Sequence, residues 1–311
     1  MKKVKIIILY FGKFPNYYSL WEHSARKNSN YEFLIFNDRY GSEHSSHNLK
    51  YIKTSFAKIQ NKFYEVLGNG IVLDSPYKLN DYRPTFGQVF AQEIGSADFW
   101  GFADVDVILG NLSQYISVSD FDYYDKIGNR GHLQLFANTK DMNGLYLKKN
   151  KFGFDFKYVS SHRGAFHFDE IWGINGIAST QGVKEKEIDN IADISTKKFL
   201  FDNSLNTFYF YREGNLFKQR AEKVLEPVSY IHLQKRPMRV CFKNSVSWND
   251  NFKILPDRFI SYSADISSMR VEKDWPDGYY RHLIKYYLSS FKKGELTARI
   301  PLLLIKIRHH V

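Results

Sequence analysis

The sequence predicts an α/β fold in which a mostly parallel sheet is flanked by helices and opens onto a ligand crevice at the carboxyl ends of its strands. Three observations carry this reading. Strand-like and helix-like segments alternate through the first hundred or so of the 311 residues, a pattern that joins parallel strands by right-handed crossovers. The run Phe99-Trp-Gly-Phe-Ala-Asp-Val-Asp-Val-Ile-Leu-Gly110 reads as an interior strand, yet it reaches two carboxylates one residue apart, Asp104 and Asp106. With 43% hydrophobic and 25% charged residues, the chain buries a large core and is not disordered.

Val4–Tyr10 is the first strand. The basic residues before it mimic a signal peptide, but the apolar run is short, lacks a small-residue cleavage site and meets Lys13 and Pro15. Residues 15–27 follow as a helix with Tyr18, Trp21 and Ala25 on one face, and residues 31–36 as a second strand ending at Asn37-Asp38. Residues 49–54 read as a short strand, and Phe56–Leu67 as a helix closed by Gly68. A helix over 85–94, started by Pro84 and stopped by Gly95, feeds the strand that carries the two Asp. Beyond Leu112 the pattern changes. Residues 132–137 and 154–159 read as strands, 169–179 as a glycine-rich helix or loop, and 230–234 as a late strand, while turns dominate 244–261. The sequence thus divides into a main unit over 1–240 and an extension over 241–311.

Cys241 is the single cysteine, which excludes an intrachain disulfide or a cysteine zinc site and points to a reducing compartment. No segment approaches the ~20 apolar residues of a membrane span. From Tyr279 to Val311 seven Lys and Arg face one acid, Glu295, among aromatic and aliphatic residues. That composition suits a basic amphipathic segment on an anionic membrane surface, or equally a helix packed on the body with a solvated basic face. No zinc finger, RNP-type motif or helix-turn-helix spacing supports a nucleic-acid partner.

The chemistry-bearing residues lie in four places. Asp104 and Asp106 at a strand end supply hard oxygen ligands for Mn²⁺ or Mg²⁺, ions that also hold phosphates, as a nucleotide-sugar site requires. His232-Leu-Gln-Lys-Arg236 offers an imidazole as a third ligand, with Lys235 and Arg236 to neutralise a diphosphate. Lys78-Leu-Asn-Asp-Tyr-Arg-Pro84 places Asp81 and Arg83 on the same side of an extended segment, where one orders the other against sugar hydroxyls or phosphate. Asp169 and Glu170, within Phe166-His-Phe-Asp-Glu170, supply a general base, unless Asp169 serves as a helix cap.

Together, Asn80-Asp-Tyr-Arg83, the following helix, the run from Phe99 to Ile108 and His232-Leu-Gln-Lys235 resemble the GT-A glycosyltransferases of bacterial polysaccharide and lipooligosaccharide synthesis, over residues 1–240. The resemblance implies that Asp104, Asp106 and His232 hold Mn²⁺ and that Lys235 contacts the diphosphate of a nucleotide-sugar, expected to be a UDP-sugar. It implies further that Asp81 and Arg83 meet the ribose or donor sugar, and that Tyr10, Phe11, Gly12 and Asp38 seat the nucleoside. The acceptor would be a glycan or lipid-linked saccharide, and the location the cytoplasmic face of an inner membrane. One departure matters: the glycine-rich His-x-x-Gly-x-x-Lys loop of related retaining enzymes is absent, since Lys235 follows His232 by three residues, so Arg236 shares the diphosphate assignment. A haloacid-dehalogenase phosphatase, whose nucleophile motif is also D-x-D, and a non-catalytic carbohydrate-binding protein are the alternatives.

Overall fold

A computed structural model describes residues 2–195, 198–201, 207–220, 225–242 and 251–265. Among these, a seven-stranded sheet runs in the order Leu49–Lys53, Tyr31–Asn37, Val4–Tyr10, Phe99–Ala103, Leu133–Ala137, Lys126–Arg130, Glu185–Lys186. Its first four strands are parallel, and Leu133–Ala137 is antiparallel to both of its neighbours. The interior strands read as unbroken apolar runs because both faces are covered. Ile7, Leu34, Phe36, Trp100 and Phe102 pack on one side with the helix Phe56–Leu67, while Ile6, Ile8, Phe33 and Ile35 pack on the other with Trp21 and Ala25 of the helix Tyr18–Lys27.

The strand order positions the site. The chain steps outward from Val4–Tyr10 through two strands, then returns to add Phe99–Ala103 on the opposite side. Such a reversal leaves a crevice at the carboxyl ends of the two strands flanking it, here where Tyr10-Phe-Gly12 and Asp104-Val-Asp106 emerge.

A three-stranded sheet, Val107–Leu109, Tyr230–His232 and Ile191–Asp193, sits immediately after the two Asp. The run from Phe99 to Leu109 is therefore two strands in two sheets, with Asp104 and Asp106 in the connection. A six-stranded, largely antiparallel sheet follows in the order Glu226–Val228, Asn215–Arg220, Thr207–Arg212, Asn251–Leu255, Arg258–Ser261, Arg239–Cys241. It straddles residue 240, where the first unit was expected to end.

Several elements differ from expectation. Residues 154–159 are not a strand: Asp155 accepts a hydrogen bond from the Tyr158 amide and starts a helix, Phe156–Ser161, that buries Phe156 and Val159. The helix expected over 85–94 breaks at Phe90 into Phe86–Val89 and Ala91–Ile94, and the fully buried Phe90 ring packs against Phe36, Phe63 and Phe86. Residues 78–84 are not extended but helical, as Leu79–Tyr82 followed by the turn Arg83–Thr85. In place of turns over 251–261 stand two strands whose Phe252, Ile254, Phe259 and Ile260 are buried. No helix among the described residues is long and apolar enough to cross a membrane. The basic tail, 279–311, lies outside the described residues.

Candidate functional site

Register brings His232 to the two Asp across more than a hundred residues. His232 pairs with Val107 on one side and Asp193 on the other. The ladder continues past the strand end: the Leu233 amide donates to the Asp106 carbonyl at 2.9 Å, and the Lys235 amide to Asp106 Oδ2 at 2.7 Å. Gln234 and Lys235 reach this turn at φ of 50° and 56°, a left-handed geometry that non-glycine residues adopt at a cost of about 1 kcal/mol or more each.

His232 Nε2 stands 3.7 Å from Asp106 Oδ1 and 3.9 Å from Asp104 Oδ2, and the ligand atoms of all three residues fall within 4.8 Å of one another. A hard cation with bonds of ~2.1 Å takes neighbouring ligands at roughly 3 Å and opposite ones at roughly 4 Å, so this set fits Mn²⁺ or Mg²⁺ with small closure. The tautomer is prepared for that. His232 Nδ1 lies 2.9 Å from Asp193 Oδ1, which also accepts from Gln234 Nε2 at 2.7 Å, so Nε2 faces the two Asp and is the nitrogen that the neutral ring offers to a cation. His132 stacks on His232 with centroids 4.0 Å apart and meets Tyr230 Oη at 3.0 Å.

The charges are already in tension. Burial pushes the Asp104 carboxyl up, but the charges of Arg83 and His232 outweigh it and hold the group below its ordinary range. Asp106 goes the other way, raised by burial and by Asp104 beside it. Two carboxylates that resist ionising together are relieved by a cation between them. Burial and a charged neighbour drive His132 down to about 3, so its ring is neutral.

Arg83 links this pair to Asp169. Its guanidinium pairs with Asp104, with Asp169 Oδ2 at 2.8 Å and with the Gly131 carbonyl at 2.7 Å. A Cβ on Gly131, in the turn after Lys126–Arg130, would stand 3.0 Å from Glu170 and 3.1 Å from Asp169 Oδ2, so this turn lies close against both acids. Asp169 is buried, and burial holds its carboxyl well above the ordinary range despite Arg83. Glu170 is half-exposed, with His167 Nδ1 3.8 Å from its Oε1.

Two expected contacts are corrected. Asp81 is fully buried and bonded to Lys78 and to the Phe166 and Phe168 amides, because the segment is helical and turns it away from Arg83 into the protein. Arg236 is likewise buried, bonded to the Phe199 carbonyl at 2.6 Å with its guanidinium over Phe201, and so is turned from any diphosphate. Lys235 is exposed, its ammonium 4.3 Å from the centre of the Tyr77 ring.

At the other strand end the Gly12 amide donates to both Asp38 oxygens at 3.1 and 3.2 Å, Tyr10 stacks on Phe14, and Phe11 packs edge-on against Phe56. A crevice of about 790 Å³ opens between this loop and the 235–239 turn, lined among others by Tyr10, Lys13, Tyr17 and Lys235. Sequence reasoning missed Asp193, His132 and Tyr77. Asp193 had a signal, since Ile191-Ala-Asp193 is another short apolar run ending in an acid.

No curated protein matches the sequence. Solved structures to which it is similar include a galactosyltransferase, LgtC, in complex with donor and acceptor sugar analogs, at 10% identity over 73% of this chain and 86% of that one, with a TM-score of 0.40. The apo glycosyltransferase GlyE of Streptococcus pneumoniae TIGR4 gives 11% identity over 61% and 46%, at 0.36. Mouse xyloside xylosyltransferase 1 gives 9% over 63% and 88%, at 0.37. At these TM-scores the likeness is too distant to carry an activity across. A family model described as a family of unknown function, DUF6625, matches residues 6–263. That span runs from the first strand past the last described one and contains every residue of the cluster, and the chain belongs to DUF6625.

Proposed function

We propose that the protein is a metal-dependent glycosyltransferase that moves a sugar from a nucleotide-sugar, UDP-linked, to a glycan or lipid-linked saccharide in cell-surface polysaccharide synthesis. One observation carries this reading: Asp104, Asp106 and a His232 oriented by Asp193 converge at the strand-order reversal, beside a crevice that Lys13 and Lys235 make basic. Asp104, Asp106 and His232 would hold Mn²⁺ or Mg²⁺. When bound, the ion supplies the positive charge that a diphosphate needs to leave.

In this reading the nucleoside lies along Tyr10, Phe11, Gly12 and Asp38, and the exposed Lys235 leaves Tyr77 to meet the diphosphate. Arg83 and the buried Asp169 face the transferred sugar. Glu170 is the more accessible of the two expected bases and takes the acceptor proton. The phosphatase alternative requires a free nucleophile, and the pairing of Asp104 with Arg83 weighs against it. The basic tail would hold the enzyme to anionic lipid at the cytoplasmic face; salt-resistant vesicle binding after removal of 279–311 would contradict that role.

The test of the activity is release of nucleoside diphosphate from a panel of nucleotide-sugars with Mn²⁺ or with chelator. Metal-dependent release from one donor is the expected result. No release from any donor, or release undiminished by chelator, would overturn the reading.

A further inference from the structure

Asp81 and Lys78 form an ion pair of 2.9 Å in which both side chains are completely buried. Neither can reach a ligand. A buried ion pair is a poor source of stability, because desolvation cancels most of the attraction, so its consequences are sought in the geometry it imposes. Both Asp81 oxygens accept the Phe166 amide at 2.9 Å, and Oδ1 also accepts the Phe168 amide at 3.1 Å. Lys78 Nζ adds a bond to the Val159 carbonyl at 2.8 Å.

Two amides converge on one carboxylate because His167 between them is left-handed, at φ 58°, which turns successive N–H groups into a concave anion cradle. The next residue after Phe168 is Asp169. Two residues after Asp81, on the same helical segment, Arg83 takes Asp169 Oδ2 at 2.8 Å. The loop is therefore gripped at two points by one segment. Between those points Asp169 Oδ1 is buried with no hydrogen-bond partner among the described residues, so its usefulness to a substrate hydroxyl depends on where the loop holds it.

We propose that Asp81, clamped by Lys78, is the positioning residue that fixes the 166–170 loop and so sets the place of Asp169 beside the transferred sugar. This rests on the glycosyltransferase reading of the site. Asp81→Asn weakens the cradle and takes from the buried Lys78 charge its carboxylate partner, so by itself it lowers stability. The double variant Lys78→Met/Asp81→Asn removes that charge while leaving the cradle weakened.

The experiment compares melting temperature, hydrogen exchange at the Phe166 and Phe168 amides, and steady-state kinetics with the donor and Mn²⁺ that the wild type uses. The double variant is expected to melt higher than Asp81→Asn yet to exchange both amides faster than wild type. Its kcat stays down by about 10²-fold, the size of a misplacement near 1 Å, with donor KM little changed. A kcat that returns to wild type in the double variant overturns the positioning role and leaves the pair merely structural. Absence of turnover from the wild type overturns the reading of the site and this proposal with it; turnover in the wild type separates the two failures.

Discussion

The two sides of the crevice are built differently. On the Asp104 and Asp106 side the groups are held by specific partners: Arg83 by Asp104 and Asp169, His232 by Asp193, Asp193 by Gln234, and Asp106 by the Lys235 amide. On the Tyr10–Gly12 side Tyr10, Phe11 and Gly12 are half-buried and Asp38 is exposed, held among the described residues by a loop amide at 3.1 and 3.2 Å. A group that must hold charge at a fixed place gains from such preorganisation, because nothing need reorganise when charge develops. A surface that receives a nucleoside does not need it. The difference teaches where substitutions should act on turnover and where they should act only on binding.

The largest effect that sharpens this contrast is expected at Glu170. Glu170→Gln should lower turnover by about 10²-fold with donor affinity kept, the cost of a lost general base, read by initial rates and nucleotide titration. Near-normal transfer would remove the base and favour a mechanism in which the leaving diphosphate takes the proton, with the product anomer fixed by NMR.

Asp193 breaks the contrast in a different way, because in the proposed site it orients His232 instead of holding the cation. Asp193→Asn frees the His232 ring and should weaken Mn²⁺ binding by about 10- to 100-fold by calorimetry, as loss of a ligand's orienting partner does. Unchanged affinity would show that the ring is held by the His132 stack alone.

A smaller effect concerns pH. Burial alone would lower the His232 pKa, but its bond to Asp193 and the charges of Asp106 and Asp104 raise it above 6.5. Without metal, the fold therefore favours the imidazolium. That stabilisation is complete below the unfolded value and is lost as pH rises through the higher folded one. A cation takes only the neutral ring, so its affinity rises over the same window. Mn²⁺ should then raise Tm more at about pH 8 than at about pH 6; an equal gain at both would place the cation elsewhere.

What the sequence disclosed follows from how local each signal is. Asp104 and Asp106 stood out because acids interrupt an apolar run, and His232 because a basic pair follows it at the end of another. Their convergence is set by the pairing of His232 with Val107, which no local pattern encodes. Asp193 carried only the faint signal of a short apolar run ending in an acid, and its place beside His232 is set by a three-residue strand paired far along the chain. Asp81 was misplaced because i and i+2 share a side only in extended backbone, and Pro76 and Pro84 frame helical turns here instead. Arg236 looked like a phosphate ligand until the backbone near Phe199 claimed it. The strands Asn251–Leu255 and Arg258–Ser261 are short and surrounded by turn residues, which hid a sheet whose partners begin at Thr207.

The central claim is that Asp104, Asp106 and His232 hold one divalent cation, and it is tested most directly by electron paramagnetic resonance of Mn²⁺ titrated into the wild type and into Asp106→Asn. The wild type should bind one ion per chain with a spectrum that UDP perturbs, and Asp106→Asn, with its melting temperature retained, should bind none in that range, because a neutral amide is a poor ligand for a hard cation. Mn²⁺ binding that is unchanged in the folded variant would contradict the account.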